Sequence, residues 1–217
     1  MIQLHGYWRS GTSYRLRIAM NFKGLDYDQI PVNLKAGDQR GAPYRALNPQ
    51  GLVPLVEIDG ARLIQSPAIL EYLEETHPEP PLLPGTAAER ARIRGYAAVI
   101  GCDIHPIQNL RILQYLRTGF GQDGDGVTAW CQRWIGDGFA ALEKMAEADN
   151  RAGPYLWGPQ PTMADVYLVP QMYNARRFGI ALDAFPRLVA ADEAARAHPA
   201  FEAARPENQP DAPEDRH

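Results

Sequence analysis

Cysteine is scarce in this chain, and its scarcity excludes two kinds of protein. The 217 residues include only two cysteines, Cys102 and Cys131, which are too few for a disulfide framework and lack the spacing of metal ligands. We therefore expect no structural disulfide and no metal site. Cys131 lies in an apolar stripe that recurs at helical period, which predicts an inert thiol on a buried helix face. The stripe comprises Val127, Trp130, Trp134, Ile135, Leu142 and Met145. Cys102 is predicted to be a packing residue on a long helix.

A basic excess and a long apolar run are also missing. Lys and Arg number 22 against 26 Asp and Glu, for a formal net charge of -4, and no run of Lys or Arg occurs, which argues against a broad nucleic-acid surface. No apolar stretch approaches the ~18 residues that span a bilayer. Residues 1–6 lack the charged and apolar blocks of a signal peptide. We therefore expect a cytoplasmic protein that binds neither membranes nor nucleic acid.

The first third of the chain predicts a βαβ unit followed by a ββα unit. The predicted elements are a strand at 2–7, a helix ending at Gly24, a strand at 27–34, strands at 54–58 and 62–65, and a helix starting at Ser66-Pro67. Glycine is a natural helix C-cap, Asp-Gly is a strong hairpin signal at residues 59–60, and Ser followed by Pro is typical of a helix N-terminus. The strands of the βαβ unit should be parallel.

A proline-rich segment then separates two domains. Residues 78–84 contain four prolines, which cannot continue a helix, so we predict an interdomain linker. The predicted domains are 1–80, 87–205 and a disordered tail at 206–217. The second is predicted to be all helical, with a pattern at 87–117 kinked near Pro106, a glycine-rich loop at 119–126 and an amphipathic helix at 127–148. Thr162 and Asp165 form a box-like helix start, for which we favour a structural role.

Three segments of the first domain could bind an anionic, extended ligand. Residues 9–13, Arg-Ser-Gly-Thr-Ser, fill the turn before the first helix, where backbone N–H groups and the helix dipole favour an anion. Pro54 stands at the start of a strand, and a cis peptide there would expose the Val53 backbone for pairing. Gln65 and Ser66 join a strand to a helix N-terminus. Each hydroxyl in these segments could equally be a simple helix cap.

The helical domain offers further polar candidates. His105 and Asn109 are spaced i, i+4, and Gln108 and Arg111 i, i+3, so a helix over 104–115 would present adjacent polar rows. His105 could act as a general acid or base, or be a structural residue. The pair at 176–177, Arg-Arg, could bind a substrate carboxylate or complement a helix end.

Several motifs in order resemble those of the cytosolic glutathione transferases, and within them the zeta class of maleylacetoacetate and maleylpyruvate isomerases. The resemblance rests on residues 7–15 (YWRSGTSYR), 48–54 (NPQGLVP), 65–69 (QSPAI), 101–106 (GCDIHP) and 162–165 (TMAD). It covers essentially the whole chain. It implies a thioredoxin-like, glutathione-binding domain at 1–80, an all-helical domain contributing the substrate site, and a homodimer.

The resemblance also implies roles for individual residues. Gln65 and Ser66 would hold the γ-glutamyl end of glutathione, Val53 would pair with its cysteinyl backbone, and Gln50 would contact its glycyl end. Asp103 would reach the tripeptide from a neighbouring subunit, and His105 and Asn109 are further candidates for glutathione binding. The substrate carboxylates would be bound by arginine, whose guanidinium suits them; the candidates are Arg9, Arg111 and Arg177.

One departure from the family pattern bears on the chemistry. Zeta enzymes commonly carry Ser-Ser-Cys where this chain has Ser10, Gly11 and Thr12, so no enzyme thiol is available there. Glutathione itself would be the nucleophile, with Ser10 or Thr12 donating to its sulfur. The implied reaction is isomerisation of maleylpyruvate or maleylacetoacetate to the fumaryl isomer in aromatic or tyrosine catabolism, with maleylpyruvate favoured. The alternatives are a general glutathione transferase that conjugates small electrophiles and a non-catalytic interaction module.

Overall fold

A computed structural model describes residues 1–213, and these fall into two compact units. The first contains Met1–Leu82 and, of the described C-terminal residues, 197–213; the second is Leu83–Arg196. The unit boundary at Leu82 lies inside the proline-rich segment predicted as a linker. Residues 197–205, however, were predicted to belong to the helical domain and instead join the first unit. No helix of the described residues is long and apolar enough to cross a membrane.

The first unit contains a four-stranded mixed sheet with strand order β2-β1-β3-β4. Its elements are β1 (Ile2–Gly6), α1 (Gly11–Phe22), β2 (Tyr27–Pro31), α2 (Ala42–Leu47), β3 (Leu55–Ile58), β4 (Ala61–Ile64) and α3 (Ser66–Thr76). Strands β1 and β2 are parallel and the other pairs antiparallel, which confirms the βαβ–ββα prediction. The hairpin turn between β3 and β4 has positive φ at Asp59 and Gly60, as the Asp-Gly signal requires.

The sequence reasoning missed helix α2, together with a single turn of 3-10 helix at Asp38–Arg40. Helix α2 has only six residues and one buried side chain, Tyr44. A helix this short cannot show a repeating apolar stripe, so periodicity gives no signal for it.

The second unit is helical. It contains α4 (Ala87–Ala98), α5 (Leu110–Phe120), α6 (Gly124–Asp149), α7 (Met163–Arg177) and α8 (Pro186–Arg196). Between α4 and α5 the chain passes through a π-helical segment, Val99–Ile104, and a 3-10 turn, His105–Gln108. The predicted loop at 119–126 is shorter than expected, because α5 runs to Phe120 and Asp123 caps α6 through the Gly126 N–H at 2.8 Å.

The prediction of one helix over 104–115 is wrong. Asn109 has ψ 147°, an extended conformation that ends the 3-10 turn and caps α5. The chain leaves the helical conformation at Asn109, three residues after Pro106, whose missing N–H removes one helical hydrogen bond. His105 and Asn109 consequently do not lie one turn apart on a helix, and neither do Gln108 and Arg111.

The core face of α6 follows the predicted stripe with one exception. Cys131 and Ile135 are fully buried, and burial raises the pKa of the Cys131 thiol to about 11, in agreement with an inert core cysteine. Trp134, predicted to be in the core, is 39% exposed. Cys102 is exposed rather than packed.

The box at the start of α7 is confirmed. Asp165 is fully buried and accepts from the Thr162 N–H at 2.8 Å and from the Leu156 N–H at 2.9 Å. Desolvation by burial raises the pKa of Asp165 to about 6, although its hydrogen bonds act in the opposite direction. Its role in the described structure is to close the helix start.

The predicted disorder of the tail is wrong for residues 206–213. Helix α9 (Pro199–Ala203) is followed by a 3-10 turn at Pro206–Asn208, and Pro206 and Gln209 are buried. Composition suggested disorder because the tail is rich in Pro, Asp and Glu. Specific hydrogen bonds to the first unit outweigh that tendency. Residues 214–217 of the predicted tail lie outside the described residues.

A buried ion pair fixes the segment between the end of α3 and Leu82. Lys23 Nζ donates to Glu74 Oε2 at 2.8 Å, to the His77 carbonyl at 2.7 Å and to the Pro80 carbonyl at 3.1 Å. Both carboxylate oxygens of Glu74 accept from the Leu82 N–H. A buried charge is tolerated only when it is paired and its remaining donors are satisfied, and this cluster meets both conditions.

We expect Lys23→Met to lower the free energy of unfolding by about 3 kcal/mol, because it leaves the Glu74 charge buried without its cation. Urea unfolding followed by circular dichroism measures this. Arg133→Met is the control, since Arg133 pairs with Asp137 on the exposed face of α6 and exposed pairs contribute little. Equal losses in the two variants would contradict the importance of the buried pair.

Candidate functional site

A tight turn carries the chain from β1 into α1 and places three candidate residues together. The Ser10 N–H donates to the Tyr7 carbonyl at 2.9 Å and closes the turn. Ser10 is the N-cap of α1, and its Oγ accepts from the Ser13 N–H at 3.3 Å. The side chain of Arg9 lies over the Trp8 ring, with Cζ 5.3 Å from the ring centroid. The helix begins at Gly11, so its positive end faces this turn.

The hydroxyls of Ser10 and Thr12 are in contact. Their oxygens are 2.9 Å apart, and Thr12 Oγ1 donates to the Val53 carbonyl at 3.1 Å. A hydroxyl has one hydrogen, and that of Thr12 is given to Val53. Ser10 Oγ therefore donates the hydrogen between the two side chains to Thr12 Oγ1, and it can donate to a ligand only when that ligand replaces Thr12 as the acceptor.

The loop before β3 is fixed by side chains that the sequence reasoning did not single out as functional. The Asn48 amide donates to the Leu52 carbonyl at 2.7 Å, and the Tyr44 hydroxyl donates to the same carbonyl at 2.8 Å. Burial raises the pKa of Tyr44 to about 12, so this phenol remains a donor. The Val53–Pro54 peptide is cis, as predicted. The loop thereby holds Val53 beside Thr12. Tyr44 and Asn48 lie within eight residues of Leu52 in the chain. The only sequence signal for their supporting role is that they are polar residues close to the Pro-Gln-Gly sequence.

Gln65 and Ser66 lie at the join of β4 and α3. Gln65 has φ 72°, a conformation that non-glycine residues adopt rarely and mainly where the surroundings enforce it. Its amide donates to Gln50 Oε1 at 2.6 Å, so the structure brings these two predicted ligands together. Ser66 was predicted to cap α3, but it is the first helical residue, and Gln65 occupies the cap position without a side-chain cap bond. The buried Ser66 hydroxyl instead accepts from Arg15 Nη1 at 3.4 Å.

In the second unit, the candidates at the break between α4 and α5 occupy three different segments. Asp103 is exposed on the π-helical segment, and His105 is half-buried at the start of the 3-10 turn. Asn109 caps α5, its Oδ1 accepting from the Arg111 N–H at 3.2 Å. Arg111 is exposed in the first turn of α5. Asn109 and Arg111 are thus in contact through the Asn109 side chain and the Arg111 backbone. Asn109 has a structural role as the N-cap of α5.

A buried amide pair accompanies this break. Gln108 Nε2 donates to Gln171 Oε1 at 2.5 Å, joining the 3-10 turn to α7. Both side chains are buried. Sequence reasoning treated Gln108 as part of a polar row on a helix over 104–115, because it assumed an unbroken helix.

The structure separates the roles of the two arginines that end α7. Arg176 Nη2 donates to Asp192 Oδ2 at 2.5 Å, and Asp192, on α8, is fully buried. Burial raises the pKa of Asp192 while Arg176 opposes that rise. The guanidinium of Arg177 lies 5.1 Å from the Phe178 ring centroid, and the residue is exposed. Arg176 is therefore a partner of the buried Asp192, whereas Arg177 is exposed at the end of α7.

Comparisons with known proteins show the family of this chain. Residues 9–76 match the family model for the glutathione S-transferase N-terminal domain. The chain is 51% identical to the maleylacetoacetate isomerase of Pseudomonas aeruginosa, over 98% of this chain and 99% of that protein. It is 49% identical to the maleylpyruvate isomerase of a Ralstonia species, over 97% of this chain and all of that protein.

Solved structures show the same likeness. The holo structure of a maleylpyruvate isomerase described as a bacterial zeta-class glutathione S-transferase superposes with a TM-score of 0.96 at 49% identity, covering 97% of this chain and 100% of that one. The maleylacetoacetate isomerase of Anaeromyxobacter dehalogenans, with bound dicarboxyethyl glutathione and citrate in its active site, gives a TM-score of 0.87 at 42% identity, covering 99% and 94%. The chain therefore belongs to the zeta class of glutathione transferases, the family of the maleylacetoacetate and maleylpyruvate isomerases.

Proposed function

We propose that this protein is a glutathione-dependent isomerase that converts maleylpyruvate or maleylacetoacetate to the fumaryl isomer. The observation that carries the proposal is the pair of hydroxyls, Ser10 and Thr12, 2.9 Å apart at the N-terminus of α1. The relatives that are 51% and 49% identical over nearly the whole chain are named as isomerases of these two compounds.

The donors of the first unit fit the chemistry of glutathione. The tripeptide has a thiol, peptide groups and carboxylates at both ends, so it needs a hydrogen-bond donor for sulfur, a backbone edge and an anion site. Ser10 supplies the donor for sulfur, and the peptide of Val53 supplies the backbone edge. The N-terminus of α3, with Ser66 and the amide of Gln65, supplies the anion site, because free N–H groups at a helix N-terminus favour a carboxylate. Gln50, bonded to Gln65, is assigned to the glycyl end.

Ser10 and Thr12 act on the protonation state of the bound thiol. A hydroxyl that donates to sulfur, together with the positive end of a helix, lowers a thiol pKa from its ordinary value of ~8.5. Thr12 gives its own hydrogen to Val53 and accepts that of Ser10, so it orients the Ser10 hydroxyl, which turns from Thr12 to the sulfur when glutathione binds. When bound, glutathione supplies a thiolate that adds reversibly to the cis double bond, which permits rotation before the thiolate leaves.

The arginines are assigned to the carboxylates of the substrate. Arg9 precedes the hydroxyl pair by one residue, and Arg111 and Arg177 are exposed on the second unit. A guanidinium binds a carboxylate in bidentate fashion and remains charged at any physiological pH. His105 is assigned the role of general acid or base, since imidazole titrates near neutral pH. Asp103 and Asn109 are assigned to glutathione, with Asp103 reaching it from a neighbouring subunit.

The cellular setting follows from the same proposal. We assign glutathione binding to residues 1–80 and a contribution to the substrate site to residues 87–196, since residues 197–205 join the first unit. The working form is a cytoplasmic homodimer, as is implied by membership of the class. The small dicarboxylate is the only other partner assigned.

The decisive experiment is the absorbance decay of maleylpyruvate and, separately, maleylacetoacetate with purified protein, with and without glutathione. We expect turnover that requires glutathione while total glutathione stays constant, because the thiol is regenerated. The faster of the two compounds identifies the substrate. Absence of turnover of both, together with stable conjugation of a generic electrophile, would replace the isomerase by a general transferase.

Removal of the Ser10 hydroxyl tests the site directly. We expect Ser10→Ala to lower kcat/KM about 10²-fold, the usual effect of losing one pre-oriented donor, and to raise the pKa of bound glutathione, measured by ultraviolet absorbance of the thiolate. Thr12→Ser keeps a hydroxyl and is the control, whereas Thr12→Val removes it. An unchanged thiol titration in Ser10→Ala would contradict the assignment, even if the lost helix cap reduced stability.

The two arginines at the end of α7 give a matched pair. We expect Arg177→Met to lower kcat/KM about tenfold or more by removing a charged partner of the carboxylate, with little change in urea midpoint. Arg176→Met should instead lower the midpoint, because buried Asp192 loses its close partner. A loss of activity at normal stability in Arg176→Met, with none in Arg177→Met, would reverse the assignment.

A further inference from the structure

The backbone of Trp8 is bound by a charged side chain at its N–H and by another at its carbonyl. Its N–H donates to Asp211 Oδ2 at 2.9 Å, and its carbonyl accepts from Arg17 Nη2 at 2.9 Å. Trp8 and Arg9 are the two central residues of the turn that the Ser10 N–H closes on Tyr7. Hydrogen bonds to charged partners are stronger than neutral ones, so the orientation of this turn is fixed more firmly than that of an ordinary loop.

Arg17 joins this turn to the C-terminal segment. It is fully buried, and its Nε donates to the Ala204 carbonyl at 3.0 Å. Burial lowers the pKa of Arg17 to about 10, and the nearby Asp211 and Glu207 oppose that shift. The guanidinium therefore stays charged at neutral pH and holds both Trp8 and the segment after α9.

The C-terminal segment has its own anchors on the first unit. Gln209 donates to the Ala203 carbonyl at 3.0 Å and to the Arg205 carbonyl at 2.6 Å, and it accepts from Gln29 on β2 at 2.7 Å. These bonds fix the side chain of Gln209, and its backbone is fixed by the Gln209 N–H donating to the Pro206 carbonyl at 3.2 Å and its carbonyl accepting from the Ala212 N–H at 3.0 Å. The Asp211 carboxylate therefore approaches Trp8 from a support that does not depend on the turn itself.

We propose that Asp211 is a positioning residue for the reaction: by accepting from the Trp8 N–H, it sets the turn that presents Arg9 and Ser10. This inference rests on the proposed function of those two residues. Arg9 stacks on the Trp8 ring, and Ser10 ends the same turn, so a rotation of the Trp8 peptide moves both. Displacements of about 1 Å in residues that orient reacting groups cost up to 10²-fold in rate.

A simpler alternative is that Asp211 only fastens the tail. The two roles differ in one respect that an experiment can measure. A fastening role changes the stability of the fold, whereas a positioning role also changes the ionisation of a thiol bound near Ser10 and the rate per folded molecule.

Asp211→Ala and Asp211→Asn form the matched pair. Both variants lose the negative charge, but only Asn keeps an oxygen that can accept from the Trp8 N–H. We expect Asp211→Ala to lower kcat/KM for the better substrate about tenfold relative to Asp211→Asn, and to raise the thiol pKa of bound glutathione above that of the Asn variant. Affinity for S-methylglutathione, measured by calorimetry, should stay the same, because Val53, Gln65 and Ser66 lie on other segments.

Glu202→Ala is the control for loss of a tail carboxylate. Glu202 pairs with Arg205 on the exposed side of the same segment and has no contact with Trp8 among those found in the described residues. It should leave turnover and thiol titration at wild-type values. Thermal unfolding of all variants separates a change in fold stability from a change at the turn.

The proposal is overturned if Asp211→Ala and Asp211→Asn show the same rate and the same thiol titration. It is also overturned if Asp211→Ala loses S-methylglutathione affinity by the same factor as rate, since that indicates a general loss of structure. Failure of the proposed function is distinguishable: the wild-type protein would then turn over neither substrate, while the titration of bound glutathione in the two Asp211 variants would still report on the turn.

Discussion

The first turn of α1 is subject to one constraint on which the rest of the site depends. A helix N-terminus leaves backbone N–H groups without partners, and the chain must satisfy some of them while keeping a donor for a ligand. Ser10 accepts from the Ser13 N–H with an oxygen lone pair and donates its own hydrogen to Thr12 Oγ1, an acceptor that a ligand sulfur can replace. Thr12 donates its hydrogen to the Val53 carbonyl. Thr12 therefore binds the neighbouring loop while Ser10 both caps the helix and serves as the donor for a ligand.

Local signals account for what the sequence could predict. The hairpin at Asp59-Gly60, the box at Thr162 and Asp165, and the parallel βαβ unit each depend on residues close together in the chain, where turn chemistry and periodicity decide the outcome. The residues expected to bind glutathione in the first unit follow the same logic. They stand at strand ends and helix starts, which sequence reasoning locates well.

The errors have a different origin. The partner of Arg176 is Asp192 on another helix, and the residues near Arg176 in the chain do not predict this ion pair. Trp134 shares the period of its buried neighbours, yet it falls at the edge of the face that packs. The helix break at residues 99–109 depends on how the π-helical segment and Pro106 combine, and periodicity assumes an unbroken helix. In each case tertiary contacts override a local preference.

The return of the C-terminal segment to the first unit affects the order in which the protein can fold during synthesis. The second unit is one continuous segment, residues 83–196, so all of its residues are present once that segment has left the ribosome. Domains generally fold as units as they emerge. Residues 1–82 precede the second unit in the chain but lack the Ala204 carbonyl and the Asp211 carboxylate until residues 204 and 211 have been synthesised. Until then Arg17 has neither the Ala204 carbonyl that it binds nor the Asp211 charge nearby, so residues 1–82 can reach their final structure only after residues 83–196 have emerged.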